Sequence, residues 1–544
     1  MKKLTFTVLS LLVTISLVNA GGIVTNTNQS ASWVRMMVRE ASTSIDAVYF
    51  NPAGLTKLPD GFHLSLNNQY ITENRKVISN YTYLNDGEYK GEASAPIFPG
   101  IYAAYKTGGL VFSAGFNVIG GGGSATYDRG LPSFELPPSD LVPGLQAAGQ
   151  PVTAYSLNTF FEGKSFYLGF QAGVSIELSE QFSFYVGGRY VTANNTYNGY
   201  LKDIMITLGG TDMRADAFFT GAAAQATAGA ASATGAATGM QLLIDGGAGG
   251  LTFAQAEGAG IIDAAKRAVL EGGLTALGID PTGMTIAVAQ GAYTGAAASL
   301  TTIAAESTAK ATLLADQEAD VKQTGSGITP IFGINFSPSD KLNIGFRYEH
   351  QTNITLENET KKDVITGFTT TGTPITMFPD GGETDADLPA MISLGASYEV
   401  TSNLNASVGV LYYFDKSASY GRTKDGLSVS NDEVIDKNFY EIALGLEYGL
   451  TDQLLVSGGY LFSKTGVSEE YQSDLSYSLS SHVFGLGGKY KFSEMMSLNL
   501  GGGYAMYADS DKNFSHDLGG TPVLVKETYS KGNLFIGVGI DFSF

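Results

Sequence analysis

The sequence has no cysteine, a single tryptophan, four histidines and, after its first twenty residues, no long apolar run. Each shortage removes a class of protein. Without cysteine there is no disulfide and no thiol to carry a lipid. A helical membrane span needs roughly twenty apolar residues in a row, so spans of that kind are excluded. Charge is scarce as well. Only 15% of the 544 residues are charged, against about 25% in an ordinary soluble domain. Basic residues are the rarer sign, 32 Lys and Arg against 52 Asp and Glu for a net charge of −20. A phosphate backbone selects basic surfaces, so nucleic acid is not an expected partner. Large, exposed, soluble loops account for the acidity.

What is abundant points one way. Glycine occurs 69 times, aromatics make up 11%, and Tyr and Phe together outnumber the acidic residues. The first twenty residues combine Lys2 and Lys3, an apolar stretch over 4–18 and the small-x-small triplet Val18-Asn19-Ala20. That is the layout of a secretory signal cleaved after Ala20. An exported chain that is rich in glycine and aromatics, poor in charge and without a membrane helix is expected to be a transmembrane β-barrel.

The strands carry the expected period of two. In NLFIGVGIDFSF, Leu534, Ile536, Val538, Ile540, Phe542 and Phe544 alternate with a mostly polar or glycine face. FYEIALGLEYGL and SFYLGFQAGVSIEL alternate in the same way, as a wall between lipid and lumen requires. Short connections at 106–109, 178–181, 337–341, 401–403, 451–453 and 493–496 interleave with long polar ones near 72–96, 119–162, 195–325, 353–387, 415–437, 464–480 and 508–531. Six short and seven long links imply fourteen strands. The expected fold is all-β and transmembrane: a 14-stranded antiparallel barrel in a bacterial outer membrane, short turns periplasmic. A soluble β-sandwich is the alternative, but its solvent-facing positions should be more charged than these.

Residues 21–60 precede the first strand. They hold Trp33, Met36, Met37, Val38, Ile45, Val48, Tyr49 and Phe50, more apolar surface than a solvated tail carries. A plug folded into the lumen is expected, with room left by the inward glycines 169, 173, 187, 395, 409, 445, 459, 487 and 503. The segment ends in ASTSIDAVYFNPAGLTKL, where Pro52 fixes its own φ and drives Asn51 out of the helical region. The 195–325 connection is Ala/Gly-rich, and two of its pieces, 253–274 and 296–321, read as helices.

This preamble, Asn51-Pro52-Ala53-Gly54 just before the first strand, the fourteen-strand pattern and the terminal Phe544 resemble the FadL/TodX family of outer-membrane transporters of long-chain fatty acids and other hydrophobic compounds. The resemblance implies that Asn51, Pro52, Ala53 and Gly54 belong to a hatch plugging the barrel and lying near strand three. It implies that strand three, LVFSAGFNVIGGGGS, carries an inward kink opening a lateral gap, for which Gly115, Asn117 and Gly120 are the candidates. It further implies a capture site on the long helical loop, larger here than in the family, outer-membrane lipid and lipopolysaccharide as surroundings, and Phe544 as the signal read by the barrel-assembly machinery. A monomer is expected.

Three functions compete. A passive transporter of hydrophobic small molecules, most of all long-chain fatty acids, needs an apolar path, for which Phe116, Leu411, Phe439, Leu455 and Phe535 are candidates. Arg189, Arg347 and Lys489 are expected to face the lumen, there to orient a carboxylate or to pair with Glu349, Glu441 and Glu447. A porin for hydrophilic solutes would need an open, charged lumen without a plug. An enzyme would need a recognisable constellation, yet His63, His350, His482 and His516 come with no nucleophile elbow or metal-ligand spacing. No catalytic residue, metal or cofactor is therefore expected.

Overall fold

A computed structural model describes residues 30–424 and 427–544; the expected signal segment and residues 21–29 of the expected plug lie outside them. Fourteen strands run antiparallel around one wall: β1 Gly61–Ser79, β2 Glu88–Thr107, β3 Leu110–Tyr127, β4 Val152–Ser179, β5 Phe182–Leu208, β6 Gln317–Ser339, β7 Leu342–Glu349, β8 Met391–Thr401, β9 Leu404–Tyr413, β10 Tyr440–Gly449, β11 Leu454–Lys464, β12 Ser481–Ser493, β13 Met496–Tyr507 and β14 Thr521–Ser543. The wall closes because β1 pairs with β14 from His63↔Ser543 to Ser79↔Glu527. At the seam the Phe544 N–H donates to the Phe62 carbonyl at 2.8 Å, and the two rings stack 6.2 Å apart.

The alternating sequence produces this wall directly. Leu444, Leu446, Ile536 and Leu486 stand exposed on the outer face, while their neighbours Ala443, Phe535 and Gly485 turn inward. Leu, Ile and Phe in a continuous outer band are unstable against water and stable against lipid. The short turns fall where the sequence places them, at 108–109, 180–181, 340–341, 402–403, 450–453 and 494–495.

At the other end the strands are longer than their apolar pattern. β1 continues to Ser79, β5 to Leu208, and β6 begins at Gln317, inside segments expected to be loops. The expected loop at 508–531 is largely a hairpin of Ser510–Leu518 on β14. Above the lipid both faces of a strand meet polar surroundings, so the ladder continues while the period-two signal fades.

Ahead of β1 lie the short helices α1 Ala31–Val34 and α2 Ala47–Phe50, and the connection between β3 and β4 folds into α3 Pro132–Ser139 and α4 Leu141–Ala147 over the mouth. The connection between β5 and β6 contains α5 Ala215–Leu243, α6 Phe253–Gly258, α7 Ala264–Ala276 and α8 Ile286–Leu313. Two corrections arise here. The alanine–glycine stretch 221–239 is part of α5, and residues from Gln317 on are strand. α5 buries Ala223, Ala226, Ala230, Ala233, Ala237 and Met240, a three-four spacing of small residues that lets α8 approach closely. At 29 residues α5 is about 43 Å long. The pair has its own core at the tip, where Met240, Phe253, Leu274, Ile286 and Tyr293 meet. Its root, Ala215 and Phe219, packs with Leu145 and Ile204 at the mouth.

Candidate functional site: the plugged lumen and its wall

Residues 30–59 fill the barrel as a hatch. Ser30 caps the short helix Ala31–Val34 through Trp33 N–H, at 3.1 Å. Asp46 then gathers the segment into one body. It accepts from Arg39 at 2.7 and 2.8 Å, from Ser42 at 2.6 Å and from Ser30 at 2.9 Å. Arg39 beside it holds the Asp46 carboxyl below its usual range against the opposing effect of burial.

The barrel receives this body where its strands lack side chains. A Cβ on Gly459 would stand 1.9 Å from the Met36 carbonyl, and one on Gly345 2.2 Å from the Glu40 carbonyl. Gly395, Gly409, Gly445 and Gly487 face the hatch in the same way. The other inward glycines differ: Gly169 lies against Arg189 and Ile119, Gly173 and Gly187 against the Tyr185 ring, and Gly503 against Phe535.

The Asn51–Gly54 motif sits on the wall of β4 to β6. Asn51 Nδ2 donates to the Ile334 carbonyl at 2.9 Å, Ser175 Oγ to the Pro52 carbonyl at 2.6 Å, and Ser183 Oγ to the Ala53 carbonyl at 2.7 Å. A Cβ on Gly54 would meet the Ser42 carbonyl at 2.2 Å. The motif's turn, Pro52–Lys57, also approaches β3. It is Val48, three residues earlier, that lies against Gly115.

Arg189 and Arg347 do face inward, but they serve the hatch. Arg189 holds Glu349 with two 2.8 Å contacts and Gln171 with one of 2.7 Å. Arg347 reaches the same carboxylate at 3.2 Å and donates to the Tyr49 carbonyl. Both guanidinium groups lie over the Tyr49 ring, 5.2 and 5.6 Å from its centre. Glu349 offsets one of the two positive charges, and both guanidinium groups are turned to that carboxylate and to Tyr49 and do not line the cavity, the ion-pair alternative of the two expected for them.

Above the hatch is a cavity of about 300 Å³. Trp33, the sole tryptophan, forms its floor with Phe535, the ring centres 6.4 Å apart. Ile71, Phe98, Phe439, Leu461, Val483 and Ala505 supply apolar walls, and Tyr477 and Leu479 of the 465–480 loop reach in from above. The polar groups are Glu73, Arg75, Lys531 and Asn533 on one side and Glu441 on the other. Arg75 pairs with Glu73. Lys531 forms no ion pair among the described residues, and its ammonium stands 4.4 Å above the Tyr507 ring. In the roofing loop, Asp474 accepts from Ser133 N–H at 2.8 Å, tying the loop to α3, and burial pushes its carboxyl up. A smaller polar cavity of about 150 Å³ lies by Arg35, Arg39, Asp46 and Glu447.

Of the expected ligand-facing residues, Phe439 and Phe535 line the upper cavity. Leu455 and Lys489 line the lower one. Leu411 packs within the wall against Met391, Tyr413 and Phe439. Phe116 is on the lipid side, its ring 4.9 Å from the exposed Phe170, because Asn117 and not Phe116 has the inward phase. Lys531, Arg75 and Phe98 were missed. The first two stand in segments read as loops.

The wall beside the cavity is interrupted. β2 and β3 pair regularly from Thr107↔Leu110 to Gly100↔Asn117, then again only from Ser94↔Ser124. Between these, residues 95–98 of β2 and 118–123 of β3 carry no register pair across the two strands. On β2 this stretch reads Ala95-Pro96-Ile97-Phe98-Pro99, and prolines cannot donate to a ladder. The register with β1 slips there by one residue, leaving Ile97 75% exposed and turning Phe98 inward. On β3 the register with β4 slips at Val118/Gly120 and Gly120/Gly123. Gly121 has φ +91°, and a Cβ on it would stand 2.1 Å from the Ser165 carbonyl. Gly115, by contrast, pairs regularly with Tyr102 and Gln171, so the break is at 118–123 and not at Gly115. Asn117 donates to Tyr102 Oη at 2.8 Å, and Gly120 is buried inside a strand that continues to Tyr127.

Comparison with known proteins agrees with this architecture. Residues 275–544 match the model of the family described as outer membrane protein transport protein (OMPP1/FadL/TodX). A FadL homologue from Pseudomonas aeruginosa superposes with a TM-score of 0.56 at 13% identity, over 96% of this chain and 100% of that one. A mutant of the TodX monoaromatic hydrocarbon channel gives 0.50 at 13% identity, over 95% and 100%. No curated protein sequence matches the chain. The family match over the second half and the hatch-filled fourteen-strand barrel of the whole make this chain a member of the OMPP1/FadL/TodX outer-membrane transport family.

Proposed function

We propose that the protein carries hydrophobic small molecules, long-chain fatty acids foremost, across the outer membrane. They bind in the cavity above Trp33 and leave sideways between β2 and β3. The observation that supports this best is that Phe98 on β2 and Gly121 on β3, both within the stretch where the two strands lose their register, also line the cavity. A ligand there lies beside a wall segment held by side chains and not by a continuous ladder, with lipid on the far side. The hatch closes the direct route to the periplasm. Burial at about 25 cal/mol per Å² of apolar surface supplies the affinity.

The head group is the finer question. A FadL homologue and a monoaromatic hydrocarbon channel are both among the related structures. Lys531 makes no close ion pair among the described residues, although Glu73 and Arg75 stand beside it, and a cation over the apolar floor favours an amphipathic acid over a neutral hydrocarbon. A porin for hydrophilic solutes is disfavoured by the apolar floor. The test is to purify the full-length protein and titrate it with palmitate and with hexadecane. Lys531→Met should weaken palmitate binding by about tenfold or more, the worth of a charged hydrogen bond, and leave hexadecane unchanged. Equal affinity for palmitate in both proteins would remove the fatty-acid reading.

A further inference from the structure

We propose that Phe98 is the stopper of the opening between β2 and β3, and that Asn68, reaching over from the lipid side of β1, holds it in place; this rests on the transport reading above. Three observations meet at this point. The Phe98 side chain is 1% exposed, lines the cavity, and packs against Ala95, Val118, Ile71, Phe166 and Leu168. It thus occupies the space between cavity and lipid where strand pairing is missing. Its backbone is held unusually: the Phe98 N–H donates to Asn68 Oδ1 at 2.9 Å, and Asn68 Nδ2 donates to the Pro96 carbonyl at 3.4 Å.

Asn68 itself is out of pattern. It stands between the exposed Leu66 and Tyr70 on the outer face of β1, opposite Val538 of β14. An amide on an apolar outer face has a cost, and an unsatisfied backbone group in hydrocarbon costs several kcal/mol more. The bulge at Pro96-Ile97 takes β2 out of step with β1 between Phe98, opposite Gln69, and Ala95, opposite Ile71, and the Asn68 amide spans it with side-chain hydrogen bonds. A side chain can swing where a ladder cannot, so this stretch of wall can move without tearing the rest of β1–β2. Phe98 sets the width of what passes, and Asn68 is its positioning residue.

The test uses the full-length protein in the outer membrane of cells lacking their own fatty-acid transporter, with two probes, radiolabelled palmitate and the bulkier pyrene-hexadecanoate. Phe98→Ala should raise the pyrene-to-palmitate uptake ratio by about tenfold, the scale on which pocket size discriminates. Asn68→Leu should move the same ratio, and Asn68→Gln, which keeps both hydrogen-bonding groups, should restore it. Heat-resistant migration of each variant on a gel verifies that the barrel is assembled. A purely structural role would scale uptake of both probes together. An unchanged ratio in assembled Phe98→Ala, with both probes still entering, overturns the stopper. If neither probe enters even through the unaltered protein, the transport reading falls first and the stopper with it.

Discussion

Single residues decide whether the lumen is plugged. Glu349 is the clearest case, because its one carboxylate bridges Arg189 and Arg347, and those two cover Tyr49 of the hatch. Removing one partner of a buried ion pair costs about 3–5 kcal/mol, since the other charge stays buried without it. Glu349→Gln is therefore expected to loosen the hatch while the barrel, held by its ladders, stays assembled. Proteolysis of the 30–59 segment in the purified protein measures this. Cleavage rates equal to those of the parent would show that the triad does not hold the plug. The arginines were legible in the sequence as lumen-facing, and Glu349 was named as one possible partner. Their duty to Tyr49 was not legible, because it joins a hatch residue to strands some 140 and 300 positions further on.

At the scale of elements, the α5–α8 hairpin shows how a segment can be helical against its composition. Repeated glycines weaken an isolated helix, and from the sequence helix is expected only over 253–274 and 296–321. Packed on α8, the same small side chains become the contact, as where Gly229 lies against Leu300. The hairpin has its own core, so removing residues 221–310 and rejoining the ends should leave the barrel's thermal midpoint within about 2 °C of the parent, a shift that in a chain this long already exceeds roughly 1 kcal/mol. A larger fall would mean that the hairpin supports the wall beyond its root. β2 and β3 show the converse. Both were legible as strands, and of the kink candidates Gly115, Asn117 and Gly120 it is Gly120 that falls in the break, while the pairs flanking Gly115 are regular. The stronger signal was on the neighbouring strand, where Pro96 and Pro99 each remove a donor.

For the whole molecule, the hatch and the wall are one packing problem. Strands that present glycine to Met36, Glu40 and Arg35 have surrendered their own side-chain volume to the plug. Deleting residues 30–59 should leave an assembled barrel with a wide water-filled lumen, and its single-channel conductance in planar bilayers should rise well above that of the intact protein. A large conductance in the intact protein that does not change on deletion would argue against a sealing hatch.

Residue order alone was enough for the barrel, its export and its fourteen strands. Lipid on one side and lumen on the other impose opposite demands on successive residues, and that contrast is written locally, two residues at a time. It determined too that a segment ahead of the first strand is too apolar to trail in water. Only the tertiary structure decided where the wall opens, which cations are consumed and which one faces the cavity. Those depend on which distant residues meet, Phe98 with Asn68, Arg189 with Glu349, Lys531 with Tyr507. No local pattern records such meetings, because each side chain satisfies the same alternation whether its partner is present or not.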